Sequence, residues 1–195
     1  MTEENSFIYI YIATNGSISL EGNIPLILKE ELSKIKNKDL ISQKKTAYGL
    51  LAYAIEKELG KIINLENIKK DERGKPTHPD FNISFSHTNG LVAVAFSKTN
   101  IGIDIEEVKD VKLFSEPQKK LLCEDEKVSG LEEATELWTK KEAIYKYDDN
   151  IKVFVPSKIK ASKYNTFSKK IVLGEKIFYL SLATNEINNV KIVEL

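Results

Sequence analysis

The sequence predicts an α+β fold in two halves. Three observations carry this expectation: β-rich runs at the start, middle and end of the chain, two longer helical patterns between them, and a change of pattern near Asn100. The order is strand, helices, strands, helices, strands, with an N-terminal half at 1–100 and a C-terminal half at 101–195.

The first element is 7–14, FIYIYIAT, short and rich in β-formers. Helical spacing follows at 26–35 and 42–59, and Gly60 stands where a helix stop is expected. Gly74, Pro76 and Pro79 make 71–80 a loop. Residues 81–86 alternate, 91–96 are continuously apolar and suited to a buried strand, and Asn89-Gly90 between them is a hairpin turn whose two residues both tolerate positive φ. A third strand spans 101–106. Ser115 and Pro117 open a helix expected to run to about residue 129, and a second helix covers 131–147. Strands return at 158–161, 170–173, 177–183 and 190–193.

The chain has 195 residues, 42% apolar and 30% charged, an ordinary globular mixture. Its 29 basic and 29 acidic side chains cancel, which disfavours nucleic acid as a partner while permitting a local pocket for a phosphorylated small molecule. Cys123, the single cysteine, allows no intrachain disulfide and no cysteine-based zinc site. The polar, acidic start is unlike a signal peptide, and no apolar run is long enough to cross a membrane, so a cytoplasmic location and no membrane partner are expected.

Three segments carry candidate chemistry. In Ile101-Gly102-Ile103-Asp104-Ile105-Glu106 the isoleucines face one way, and Gly102, Asp104 and Glu106 face the other. Carboxylates two apart on a strand, roughly 6–7 Å between residues, can converge on a hard cation such as Mg²⁺; the same pattern also describes a half-exposed strand with its acids in solvent. Gly102 on the acid face leaves room for a ligand to approach the backbone. In Trp138-Thr139-Lys140-Lys141-Glu142-Ala143-Ile144-Tyr145-Lys146, helical geometry gathers Trp138, Lys141, Glu142 and Tyr145 in one arc, borders it with Lys146, and turns Lys140 to nearly the opposite side. This is either a surface helix with an i,i+4 ion pair, or a helix whose Glu142 is a third metal ligand or a general base among phosphate-neutralising lysines. Lysine neighbours favour the charged carboxylate, which suits a ligand more than a proton carrier. The third segment ends a strand in Ser86-His87-Thr88, where hydroxyls, an imidazole and turn N–H groups suit phosphate oxygens as well as plain solvent exposure. His78 is assigned no function.

Taken together, Gly74-Lys75-Pro76, the strand ending Ser86-His87-Thr88, Gly102-Ile103-Asp104-Ile105-Glu106 and the Trp138–Lys146 helix resemble the Sfp-type family of 4′-phosphopantetheinyl transferases. The resemblance implies two pseudo-twofold-related α+β halves with the active site and coenzyme A in the cleft between them. It implies transfer of 4′-phosphopantetheine to a serine of an apo acyl or peptidyl carrier protein, with release of 3′,5′-ADP. Asp104, Glu106 and Glu142 would hold Mg²⁺, Glu142 would also activate the serine, and Lys146 would stabilise the leaving pyrophosphate charge. Lys75, Ser86, His87 and Lys141 would bind coenzyme A, and Lys45 would stand where the family has an arginine for the 3′-phosphate. The carrier would be acidic around its serine and meet the helices near Lys119-Lys120 or Lys140. Two departures stand out: Tyr147-Asp148-Asp149-Asn150 follows Lys146 where the family commonly has a glycine, and the C-terminal half is shortened after residue 150. Two halves in one chain would suffice as a monomer.

Two rivals remain. One is an inactive module that only docks carriers. The other is a metal-dependent nuclease, for which Asp104 with Glu107-Val108-Lys109 gives a loose acid, acid-x-lysine pattern.

Overall fold

The computed structural model describes residues 7–18, 20, 24–109, 121–187 and 189–195. The chain is α+β and divides into two compact units, Met1–Thr99 with Asn188–Leu195, and Asn100–Ile187. The break near Asn100 is where the sequence pattern changes. The last residues, grouped by sequence with the second half, belong to the first unit because their strand pairs there.

The first unit is a six-stranded sheet with helices on one face. Its strands are β1 (Ile8–Thr14), β2 (Lys69–Lys70), β3 (Pro76–Thr77), β4 (Asn82–Thr88), β5 (Leu91–Ser97) and β9 (Val190–Glu194), in the order β2-β3-β4-β5-β1-β9. Neighbours are antiparallel except β1 and β9, which run parallel with Ile8 opposite Val190. Lys191 Nζ reaches both carboxylate oxygens of Glu58 at 2.8 Å, and the Tyr11 hydroxyl donates to the same group, so β9 is tied to the helix as well as to the sheet. The loop expected at 71–80 contains the two-residue strand β3.

Helix α1 (Leu26–Ser33) precedes the long α2 (Lys38–Leu59). Asn37 caps α2, its side chain accepting from the amides of Asp39 (2.9 Å) and Leu40 (3.2 Å), which starts the helix four residues earlier than its apolar spacing predicts. Gly60, at φ 62°, ends it. Leu50, Leu51, Ala54 and Ile55, spaced for one helix face, pack on Tyr11, Ile83, Val92, Val94 and Phe96 of the sheet. Burying each leucine or isoleucine stabilises the unit by about 1.5–3 kcal/mol. At the β4–β5 turn only Gly90 takes positive φ, 82°; Asn89 does not.

The second unit is a three-stranded antiparallel sheet, β6-β8-β7, with one long helix across it. The strands are β6 (Ile101–Glu107), β7 (Thr166–Leu173) and β8 (Lys176–Thr184), and the helix is α3 (Leu131–Tyr147). Two expectations fail here. The helix opening at Ser115 and Pro117 lies outside the described residues, and 122–129, its expected end, is irregular. The predicted strand at 158–161 is instead a pair of 3₁₀ turns, Pro156–Lys158 and Ala161–Lys163. Pro156 has no N–H for a ladder, and Ile159 between the turns is buried against Ala143 and Ile144 of α3.

Among the described residues no helix is long and apolar enough to cross a membrane.

Candidate metal and phosphate site

Helix α3 is held to its sheet by three polar ties. At its N-terminal end Glu132 accepts from Lys170 Nζ (2.6 Å) and the Tyr179 hydroxyl (2.9 Å). In the middle, Thr139 Oγ1 lies 2.7 Å from Ser181 Oγ, which in turn lies 2.8 Å from Ser168 Oγ. At its C-terminal end Lys146 Nζ donates to Asp104 Oδ1 at 2.8 Å. The register explains the match: Asp104, Ser181 and Ser168 form one cross-strand row, and Glu106, Tyr179 and Lys170 form the next.

Gly102 sets how closely the helix approaches. A Cβ there would fall inside contact distance of the Ala143 carbonyl oxygen and 2.6 Å from the Tyr147 amide nitrogen. The missing side chain therefore admits the helix backbone, not a ligand as its place on the acid face first indicated. Gly102→Ala is expected to destabilise the protein by about 1–3 kcal/mol or more, because backbone must move. A urea midpoint equal to wild type would refute this packing.

The acid face of β6 is accordingly no solvent-exposed edge. Asp104 is 1% exposed, while Glu106 and Glu142 are half-buried. Asp104, Glu106 and Glu142 each offer one carboxylate oxygen, all within 4.8 Å of one another. Lys146 contacts two of them, Asp104 at 2.8 Å and Glu142 at 3.4 Å. Among the described residues three carboxylates meet one ammonium, a formal charge of −2 (−3 + 1) when all are ionised, in a partly desolvated place. Such a group is stabilised by a further cation. The all-oxygen donor set suits Mg²⁺, which takes few protein carboxylates and keeps sites for water and phosphate. The residues fit that ion.

Electrostatics divide the roles. Burial pushes the Glu142 carboxyl up; Lys146 pulls it down, Asp104 pushes it up again, and the Trp138 indole hydrogen bond lowers it, for a net rise. Lys146 thus favours the charged form of Glu142, as its place on the helix predicts, but burial and Asp104 outweigh it. For Lys146 burial works downward, but Asp104 and Glu142 outweigh it and raise its pKa, so it stays charged.

Lys141 does not join this group. Its side chain is fully buried, and Nζ donates to the carbonyls of Leu121 (2.7 Å) and Pro156 (2.9 Å) and to the Glu126 carboxylate. Three oxygen acceptors use the three ammonium protons, so the coenzyme A contact expected for Lys141 is replaced by a structural one. Lys140, on the outer side of α3, pairs with Glu136 at 2.7 Å. Glu107, three residues from Asp104 on β6 and so on the opposite face, pairs with Lys109 at 3.2 Å.

In the first unit, β4 continues through Thr88, so Ser86 and His87 point to opposite faces. Ser86 is buried and His87 exposed; their side chains do not converge as a strand ending at Ser86 would allow. Lys75 follows a tight turn in which Asp71 Oδ1 accepts from the amides of Arg73 (2.9 Å) and Lys75 (2.8 Å), with Gly74 at φ 80°. Burial raises the Asp71 carboxyl, but these N–H groups outweigh it and hold it below the usual range. Lys45 is exposed, about 200° around α2 from Gln43, whose Nε2 donates to the Thr88 carbonyl at 3.4 Å. It thus stands on the far side of the helix from the end of β4. Lys44 is engaged with Glu31 at 2.7 Å. Lys119-Lys120 lie outside the described residues.

The sequence reading missed Glu126, the hydroxyl row Thr139–Ser181–Ser168, and Glu132 with Tyr179. Only the last carried a signal, an acid in the first turn of a helix.

No protein-family model matches the chain, and no curated protein matches it.

Proposed function

We propose that the protein is a 4′-phosphopantetheinyl transferase, taking coenzyme A as donor and the serine of an apo acyl or peptidyl carrier protein as acceptor. The observation that carries this reading is the convergence of Asp104 and Glu106 from β6 with Glu142 from α3, around Lys146. These are the residues of the two segments most specific to the family resemblance. The two-half transferase fold is part of the proposal.

Asp104, Glu106 and Glu142 would hold Mg²⁺, which when bound would neutralise charge on the pyrophosphate of coenzyme A. Glu142 accepts the proton of the carrier serine. The serine Oγ forms a bond to the β-phosphorus, and the bond from that phosphorus to the 3′,5′-ADP oxygen breaks. Lys146, kept charged by its acid neighbours, meets the negative charge that develops on the leaving group. Phosphoryl transfer of this kind depends mainly on positioning and charge, and no covalent enzyme intermediate is needed. Lys75 and His87 remain the proposed phosphate contacts of the first unit.

Release of 3′,5′-ADP, followed by chromatography, tests the reading. It is expected only when coenzyme A, Mg²⁺ and apo-carrier are all present, and a chelator should abolish it. Carrier binding with no nucleotide release would favour the docking-only module.

A further inference from the structure

Residues 151–174 contain six lysines and no acid, although the whole chain has zero net charge. The first part of this stretch, 151–163, is folded against α3 by its inner side. Phe154 packs on Trp138 (5.3 Å between ring centroids) and Tyr145 (5.4 Å), Ile159 is buried, and the Pro156 carbonyl is held by Lys141. Its outer side carries Lys152, Lys158 and Lys163, all exposed, and Val153, which is 70% exposed. Three other lysines of this unit spend their charge inside it, Lys140 on Glu136, Lys160 on Asp125 and Lys170 on Glu132. Lys152, Lys158 and Lys163 have no ion-pair partner among the described residues. The stretch also adjoins the carboxylate site, since Phe154 touches Trp138 and the Trp138 indole donates to Glu142.

We propose that the outer side of 151–163, through Lys152, Lys158, Lys163 and Val153, docks the acceptor protein. Its partner is an acidic protein surface bearing an apolar side chain. This rests on the transfer reading above. Unpaired exposed cations speed encounter with an acidic partner and fix its register, and an exposed valine among them supplies the apolar contact at the centre of a charged rim. Attachment beside the turn of α3 that holds Glu142 would bring the partner's serine to the carboxylates rather than to a distant face of the unit.

The test uses a fluorescently labelled, acidic apo-carrier and the full chain, with binding read by anisotropy at low and physiological salt. The triple variant Lys152→Glu/Lys158→Glu/Lys163→Glu is expected to weaken binding about tenfold or more, most at low salt. Val153→Asn, which adds no charge, should weaken it without altering the salt dependence. KM for coenzyme A should be unchanged. The variant Lys34→Glu/Lys36→Glu/Lys61→Glu, with the same change in net charge on the first unit, should bind as wild type. Equal losses in both triple variants, unchanged affinity, no carrier binding by wild type, or a raised KM for coenzyme A would each overturn the docking surface. So would anionic vesicles that displace the carrier from wild type but do not bind the 152/158/163 variant. Wild-type binding that is lost in this variant, with no phosphopantetheine transferred by either, would keep the docking surface and sink the transfer reading.

Discussion

Glu142→Ala is expected to lower phosphopantetheine transfer by about 10²–10³ while leaving the protein folded, the usual effect of removing one group that stabilises a transition state. Glu142 combines two places in the site: one of three converging oxygens, and a carboxyl raised by burial and by Asp104 against the pull of Lys146. On the proposed reading, its truncation removes both a cation ligand and the proton acceptor. Lys140→Ala, two residues away but paired outward to Glu136, should transfer at the wild-type rate. The pair of variants separates the two sides of one helix. Equal activity of both would mean that the acid cluster has no part in the reaction, and equal loss would point to the helix as a whole. Steady-state rates at saturating coenzyme A and carrier make the comparison.

Lys141→Met is expected to cost about 3–5 kcal/mol of stability, the range for breaking a buried ion pair by removing one partner. Methionine matches the lysine stem in shape but leaves the Glu126 carboxylate and the carbonyls of Leu121 and Pro156 without their donor. Urea unfolding should show a lower midpoint with an unchanged slope. The loss should depend on pH. Burial raises the Glu126 carboxyl, but the Lys141 ammonium and the Cys123 amide outweigh it and hold the folded-state pKa below the usual glutamate range. Such a group contributes stability that is present above its unfolded pKa, about 4.3, and lost as pH falls through the folded value. The gap between wild type and Lys141→Met should therefore be full at neutral pH and narrow below about pH 4. Adding Glu126→Leu to Lys141→Met should restore part of the loss by removing the stranded carboxylate. A Lys141→Met midpoint equal to wild type would show that the ammonium is not structural.

How far the sequence was legible follows from which forces are local. The alternation of 101–106 and the 3.6-residue spacing of 131–147 are local, and both elements stand where they predict. Asp104, Glu106 and Glu142 were nameable for the same reason. The fate of Lys141 was not, because it depends on Glu126 and Pro156, each 15 residues away along the chain. Helical angles placed Lys141 beside Glu142 but could not say that three oxygen acceptors wait there. Gly102 was noticed and misread, since a missing side chain signals close approach without saying what approaches. The strand predicted at 158–161 failed where Pro156 and one buried isoleucine outweigh β-propensity. The partner of β9 was illegible in principle, because a parallel pairing with β1 joins the two ends of the chain.

Phosphopantetheine transfer is tested most directly by the intact mass of an apo-carrier protein after incubation with this protein, coenzyme A and Mg²⁺, with Asp104→Asn in parallel. A gain of one phosphopantetheine group is expected, located on a serine, lost with chelator and strongly reduced in Asp104→Asn. An unmodified carrier from every apo-carrier tried, or a gain that survives both chelator and Asp104→Asn, would contradict it.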